Sequence, residues 1–408
     1  MQAIDIKSAP LAYRPEVELL LFCTRTNLDS PTSERIEKLV KQDIDWEYLL
    51  HMAAYHEVTP FLYQSLNKIC PKLLPQTILK ELSHRFYSNF AYNLFLTQEL
   101  HKILELFTAH DIRAIPFKGP ILAISAYNTL ALRQFRDLDI LVQERDVPLA
   151  TKLLVSQGYE LPSQLADIQE KPYLQYEQFL ESSSYQRCYD FIRNDERIAV
   201  ELHWGLTGKN FSYPVEFQDL WSRIQFVSLE NIAVPSFSSE DLLLYLCVHG
   251  SRHCWEELKW ICDIAELLHT HQGIDWKWVL EQSRVLGVER MLGLGLLLAH
   301  EMLGTILPEN VLQSIQADRT ARVLAQKLHE RFFDSPPAEF EKHFLLIQAR
   351  ERLLDKALYL RHLLFTPSAQ EWALLPLPQF LVFFYCLLRP TKLIFYLILS
   401  GRAKLNTT

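Results

Sequence analysis

Residues 137–142 read DLDILV. The apolar part, LDILV (138–142), predicts a β-strand with Asp137 at its start. Residues two apart on a strand point to the same side, so Asp137 and Asp139 present two carboxylates on one face. Like charges this close repel, and half-buried ones repel more strongly. A fold built from this chain therefore has to bring positive charge to that face.

The flanking sequence suggests how. IRAIPF (112–117) predicts a short strand, Lys118-Gly119 follows, and PILAISAYNTL predicts a helix with Pro120 in its first turn. RDVPLATKLLVSQGY reads as a helix that stops at Gly158. Residues 162–176 are polar and read as a loop or insertion. The stretch 184–204, SYQRCYDFIRNDERIAVELHW, predicts two strands joined by a turn around Asn194 and Asp195, and FVSLENIAVPSF (226–237) predicts a hairpin.

On either side the pattern is helical. Only 11 glycines occur in 408 residues, which suits a helix-rich chain with few tight turns. In residues 78–110 the apolar positions Leu82, Phe86, Phe90, Leu94, Leu100, Ile103, Leu104 and Phe107 recur at helical spacing. Helical pattern resumes at Ser238, with Ser239 before EDLLLYLCVHGSRHCWEELKWICDIAELLHTH as the start signal, and DSPPAE (334–339) breaks it. The expected architecture is α+β: an N-terminal helical region (1–110), an α/β core (111–237) and a C-terminal helical region (238–408).

Charge and cysteine content narrow the function. A net charge of -8 and a pI near 6.0 give no overall reason to expect nucleic-acid binding, while a single nucleotide remains compatible with them. Seven cysteines without a CxxC fit free thiols in a reducing cytosol. The first twenty residues lack the basic and apolar segments of a secretory signal, so the expected location is cytoplasmic. A GxSxG elbow, a Walker GxxxxGK[ST] loop and an HExxH zinc motif are all absent.

Divalent magnesium takes oxygen ligands, typically one or two carboxylates with water and phosphate. Glu201 in VELHW is the best third carboxylate, because Val200, Leu202 and Trp204 share one face of that strand while Glu201 and His203 share the other. Lys118, the backbone of Gly119, Arg133 and Arg136 are candidates for phosphate contacts. His249, His253 and Lys259 are candidates for substrate contacts, as is His203, which reads equally well as a structural histidine. His249 and His253, with Cys247 and Cys254 close by, have a spacing that can bind zinc, and packing near a cleft is the favoured reading.

As a set these motifs resemble the nucleotidyltransferase superfamily, and in particular its bacterial "uncharacterised nucleotidyltransferase" branch. The resemblance rests on AAYHEVTPFLYQSL, FKGPILA, LRQFRDLDILV, VELHWGL and SSEDLLLYLCVHGSRHCWEELKWICDIAELL, over roughly residues 50 to 300. It implies a small mixed-sheet core of the polymerase-beta-like type, with Asp137, Asp139 and Glu201 as catalytic metal ligands, Mg²⁺ or Mn²⁺ as cofactor and a nucleoside triphosphate as co-substrate. The implied acceptor is a hydroxyl of a small molecule or protein. Lys118 and Gly119 stand where the superfamily usually has a Gly-Ser pair. The alternative is a catalytically inactive nucleotide-binding or regulatory protein of the same fold. The apolar, basic tail (374–405) adds a candidate for peripheral membrane contact or for packing on the preceding helices.

Overall fold

The computed structural model describes residues 14–26, 28–161, 187–193, 198–208, 211, 213–333 and 337–366, together with Leu381 and Phe384. The polar segment 162–176 and the tail 374–405 lie outside them, apart from those last two residues.

Four strands form one mixed sheet in the order β1 (Ala114–Pro116), β2 (Asp137–Val142), β4 (Ile198–His203), β3 (Cys188–Arg193). β1 runs antiparallel to β2, β2 runs parallel to β4, and β3 closes the edge antiparallel to β4. A separate hairpin, β5 (Gln225–Leu229) with β6 (Ile232–Ser236), follows. The strand predicted at 138–142 begins one residue earlier, so Asp137 is inside the sheet.

One face of the sheet is dry. Leu138, Ile140, Val142, Val200, Leu202 and Phe191 are buried together with Leu100 and Phe107 of the long helix α5 (Gln76–Thr108) and Leu154 of α7 (Val147–Ser156). Alternation then sends Asp137, Asp139, Glu201 and His203 to the other face. α5 serves both halves of the molecule, since its Leu82 belongs to a second, larger cluster.

That second cluster joins what the sequence separates into two helical regions. Leu20, Leu49 and Leu62, from α1 (Pro15–Cys23), α3 (Trp46–Tyr55) and α4 (Thr59–Ile69), pack with Leu246, Cys262 and Leu294 from the C-terminal half. The seam carries polar ties as well. Thr26 N–H donates to Glu266 Oε1 at 3.1 Å and Lys259 N–H donates to the His56 carbonyl at 3.2 Å.

The helical stretch starting at Ser239 is two helices, α9 (Ser239–Arg252) and α10 (Leu258–Thr270), after the short α8 (Phe217–Ser222). The cap is Ser238, whose side chain accepts from Asp241 N–H. Between the two helices Cys254 and Trp255 both take positive φ, 54° and 55°. The Trp255 ring lies flat on Gly250, where a Cβ would stand 2.3 Å from the indole. Periodicity cannot report such a break, because apolar residues continue through it. Among the described residues no helix is long and apolar enough to cross a membrane.

Candidate active site

The central relationship is a register. On parallel strands β2 and β4, Asp139 pairs with Glu201 and Leu141 pairs with His203. On the antiparallel side, Glu201 pairs with Asp190 and His203 pairs with Cys188. Side chains of register partners share a face. Asp139, Glu201 and Asp190 therefore form a row across three strands, with Asp137 one step along β2. Asp190 and Cys188 escaped the sequence reading. The available signal was their mirror spacing to Glu201 and His203 across the predicted turn.

The row faces a cavity of about 700 Å³ whose lining includes Lys118, Asp137, Glu201, His203, Arg252 and Lys259. The sheet supplies carboxylates, and α9 and α10 supply cations and rings. His249 lies inside α9, and His253 is its C-cap rather than a helix-interior residue. Their rings are 4.6 Å apart and lie against Trp260 of α10, with centroids 5.7 and 5.2 Å away. Burial holds His249 well below the usual imidazole range, with Lys118 adding to the effect.

Lys118 supplies the positive charge that the aspartate pair requires. Its Nζ lies 2.6 Å from Asp139 Oδ1, and His203 Nε2 lies 3.3 Å from the same oxygen. Burial pushes Asp139 up, but these two neighbours outweigh it and hold the carboxyl below its ordinary range. Burial likewise opposes the charged forms of Lys118 and His203. Asp139, Tyr245, Asp137 and Glu201 together outweigh it at Lys118, and Cys188 with hydrogen bonds to Asp139 and Glu201 outweighs it at His203, so both are shifted upward. Asp137 makes no ion pair among the described residues, and burial together with the Asp139 charge pushes it up to about 6, against the opposing pull of Lys118 and Arg133. Partial desolvation and Glu201 raise Asp190 as well, and burial pushes the Cys188 thiol up to about 11.

Gly119 is fixed by geometry. It opens helix α6 (Gly119–Tyr127) at φ +53°, and a Cβ there would stand 3.2 Å from the Asp137 carbonyl oxygen. The glycine lets the helix start against the aspartate strand itself. Arg133 lies on the other side of the loop, in a buried two-point pair with Asp263 of α10, Nε–Oδ1 2.9 Å and Nη2–Oδ2 3.1 Å. Tyr127 donates to the same carboxylate at 2.6 Å. Asn93 of α5 holds the loop from behind, donating to the carbonyls of Leu130 and Arg133 at 2.6 and 2.8 Å.

Lys118 and Arg133, the expected phosphate contacts, both line the cavity. Lys118 and Arg133 are committed to Asp139 and Asp263, so each shapes the site through a carboxylate partner. Lys259 is also paired, with Glu57 and with Glu257. Arg136 is 80% exposed and reaches Glu57 only at 3.6 Å. Arg252 makes no ion pair among the described residues, and Arg187 reaches only the exposed Glu144, at 3.1 Å.

A small mixed sheet that sets an Asp-x-Asp strand beside a parallel glutamate strand, with a helix starting at a Lys-Gly turn against it, defines a nucleotidyltransferase-type core. A family model described as "Uncharacterised nucleotidyltransferase" matches residues 42–304, and the chain belongs to that family. The match runs from the N-terminal helices through α12 (Glu289–Leu303), which follows α11 (Trp276–Leu286), and so takes in the sheet with α9 and α10. No curated protein and no solved structure matches the chain.

Proposed function

We propose that this protein transfers a nucleoside monophosphate from a nucleoside triphosphate to a hydroxyl of a small molecule or protein. The observation that carries the reading is the register pair Asp139–Glu201, with Asp137 on the same face, beside a cavity that Arg136, Arg187 and Arg252 also line.

The donor set suits Mg²⁺ or Mn²⁺. Among the described residues Asp139 Oδ2 is buried without a hydrogen-bond partner, and burial together with the Asp139 charge pushes Asp137 up to about 6. Asp137, Asp139 and Glu201 would hold the ion. Bound there, a divalent ion supplies charge neutralisation for the phosphates and for the leaving pyrophosphate.

The chain's own groups do the rest. Arg252, Arg187 and Arg136 are the cations free enough to meet the triphosphate, and Gly119 lets backbone come close to it. The acceptor hydroxyl forms a bond to the α-phosphorus, the α–β bridging bond breaks, and pyrophosphate leaves. Glu201, whose side chain is 32% exposed, takes the hydroxyl proton. Lys118 and His203 keep the Asp139 carboxylate ionised and oriented. His249 and His253 with Trp260 form a ring surface suited to a base or to the acceptor.

One observation favours a second reading, a nucleotide-binding or regulatory protein that performs no transfer. The Lys118 ammonium already compensates Asp139 at 2.6 Å. A screen of the four labelled nucleoside triphosphates with Mg²⁺ or Mn²⁺, on cell extract and on the protein alone, separates the two. The transfer reading expects pyrophosphate release that Asp137→Asn and Glu201→Gln abolish. Binding of Mg²⁺-nucleotide without release under any condition favours the second reading. A cytoplasmic location, with peripheral membrane contact through the tail, remains part of the proposal. Flotation with liposomes of the full chain against a chain ending near Glu371 tests the membrane part.

A further inference from the structure

The site holds ligand chemistry that its aspartates do not account for. Cys188, Glu201 and His203 bring one ligating atom each within 4.8 Å of one another. His203 Nε2 is the hub, 3.1 Å from Glu201 Oε2 and 3.7 Å from Cys188 Sγ. With Zn–N and Zn–O near 2.0 Å and Zn–S near 2.3 Å, tetrahedral angles separate N from O by roughly 3.3 Å and N from S by roughly 3.6 Å. The two separations at His203 are therefore those of zinc ligands, and the third, Cys188 to Glu201, lies within 4.8 Å.

The register explains why. Cys188 and His203 are cross-strand partners, and Glu201 is two residues from His203 on the same face. The His203 ring is held edge-on by Phe117, with centroids 5.1 Å apart. All three ligands line the 700 Å³ cavity, so an ion reaches them from solvent. Magnesium prefers an octahedron of oxygens and has no use for a thiol, whereas a sulfur, nitrogen and oxygen set selects zinc or a similar late first-row ion.

We propose that Cys188, His203 and Glu201 form a three-ligand zinc site, with the fourth position left to water or substrate. Binding turns the Cys188 thiol into a thiolate and frees His203 Nε2 of its proton, and both protons go to solvent. Asp139, whose Oδ1 lies 3.3 Å from Nε2, is the neighbouring carboxylate. Glu201 belongs to both donor sets, so zinc competes with magnesium for it. The proposal rests on the coordination geometry and goes beyond the transfer reading.

The test is a titration of the metal-free full chain with Co²⁺ near pH 8, without nucleotide. The expected result is one Co²⁺ per chain, with a near-ultraviolet thiolate-to-cobalt absorption that one equivalent of Zn²⁺ abolishes. Cys188→Ser loses that absorption and weakens Zn²⁺ binding by more than about tenfold, and Glu201→Gln weakens binding comparably while retaining the absorption. Circular dichroism of both variants matches the parent. Wild-type protein without the absorption, or an absorption that survives in Cys188→Ser, overturns the proposal. The titration uses no nucleotide, so its failure overturns this inference alone and leaves the transfer reading to its own assay.

Discussion

Arg133 and Asp263 join the sheet to the helical body through a buried two-point ion pair, 2.9 and 3.1 Å long, with side chains only 5% and 1% exposed. Arg133 lies in the loop that delivers Asp137, and Asp263 lies on α10, whose Lys259 and Trp260 line the cavity. The pair therefore ties the acidic sheet to a helix that lines the same cavity. Asp263→Ala would leave a guanidinium buried without its counter-charge, at a cost of about 3–5 kcal/mol. Urea denaturation is the measurement. Asp263→Asn, which keeps an acceptor for Tyr127 and Arg133, is expected to lose less.

Asp139 and Glu201 separate stability from chemistry. Asp139 is buried and faces both Lys118 and His203, so Asp139→Asn lowers the melting temperature as well as any transfer. Glu201, whose side chain is 32% exposed, pairs with His203 alone among the described residues, so Glu201→Gln abolishes transfer and leaves the melting temperature nearly unchanged. Equal thermal losses in the two variants would contradict this division.

Gly119→Ala tests the helix start beside the aspartate strand. The new Cβ meets the Asp137 carbonyl at 3.2 Å, and the backbone is held at φ +53°. A loss of about 1–2 kcal/mol is expected. Thermal unfolding gives the stability change. A neutral result would mean that the Lys118-Gly119 turn shifts freely, and with it the Asp139 partner.

His56 makes stability depend on pH. It is buried, accepts from Leu258 N–H at 3.4 Å, and burial lowers its pKa from 6.5 to about 4. The unfolded chain takes up this proton near pH 6.5, whereas the folded chain does so only near pH 4. Its contribution is therefore complete above pH 6.5 and is lost as pH falls toward 4, by up to about 3 kcal/mol. Unfolding free energies across that window show the slope, and His56→Leu reduces it without removing it, because burial lowers His249 and His253 as well.

The helix over 78–110, the strands around Ile115, Ile140 and Val200, and the helix stop near Gly158 were legible because each is a local pattern. Asp190 was not singled out, although it stands in the row with Glu201, because its place depends on which residues of β3 and β4 become partners. Asp263 was not either, since a lone aspartate in an apolar helix carries no sign of an arginine 130 residues away.

Alternation and turn chemistry act over a few residues, and through them the sequence by itself set the α+β character, the acidic face of DLDILV and the pairing of Glu201 with His203 on one side of a strand. Only the tertiary structure decided that Glu201 lies beside Asp139, that Lys118 and Arg133 are taken up by carboxylates, and that the two helical regions share one core. Those outcomes depend on strand register and on helix packing across hundreds of residues. Many pairings bury similar apolar area, and the one adopted is selected by how the whole set of surfaces and charges fits at once.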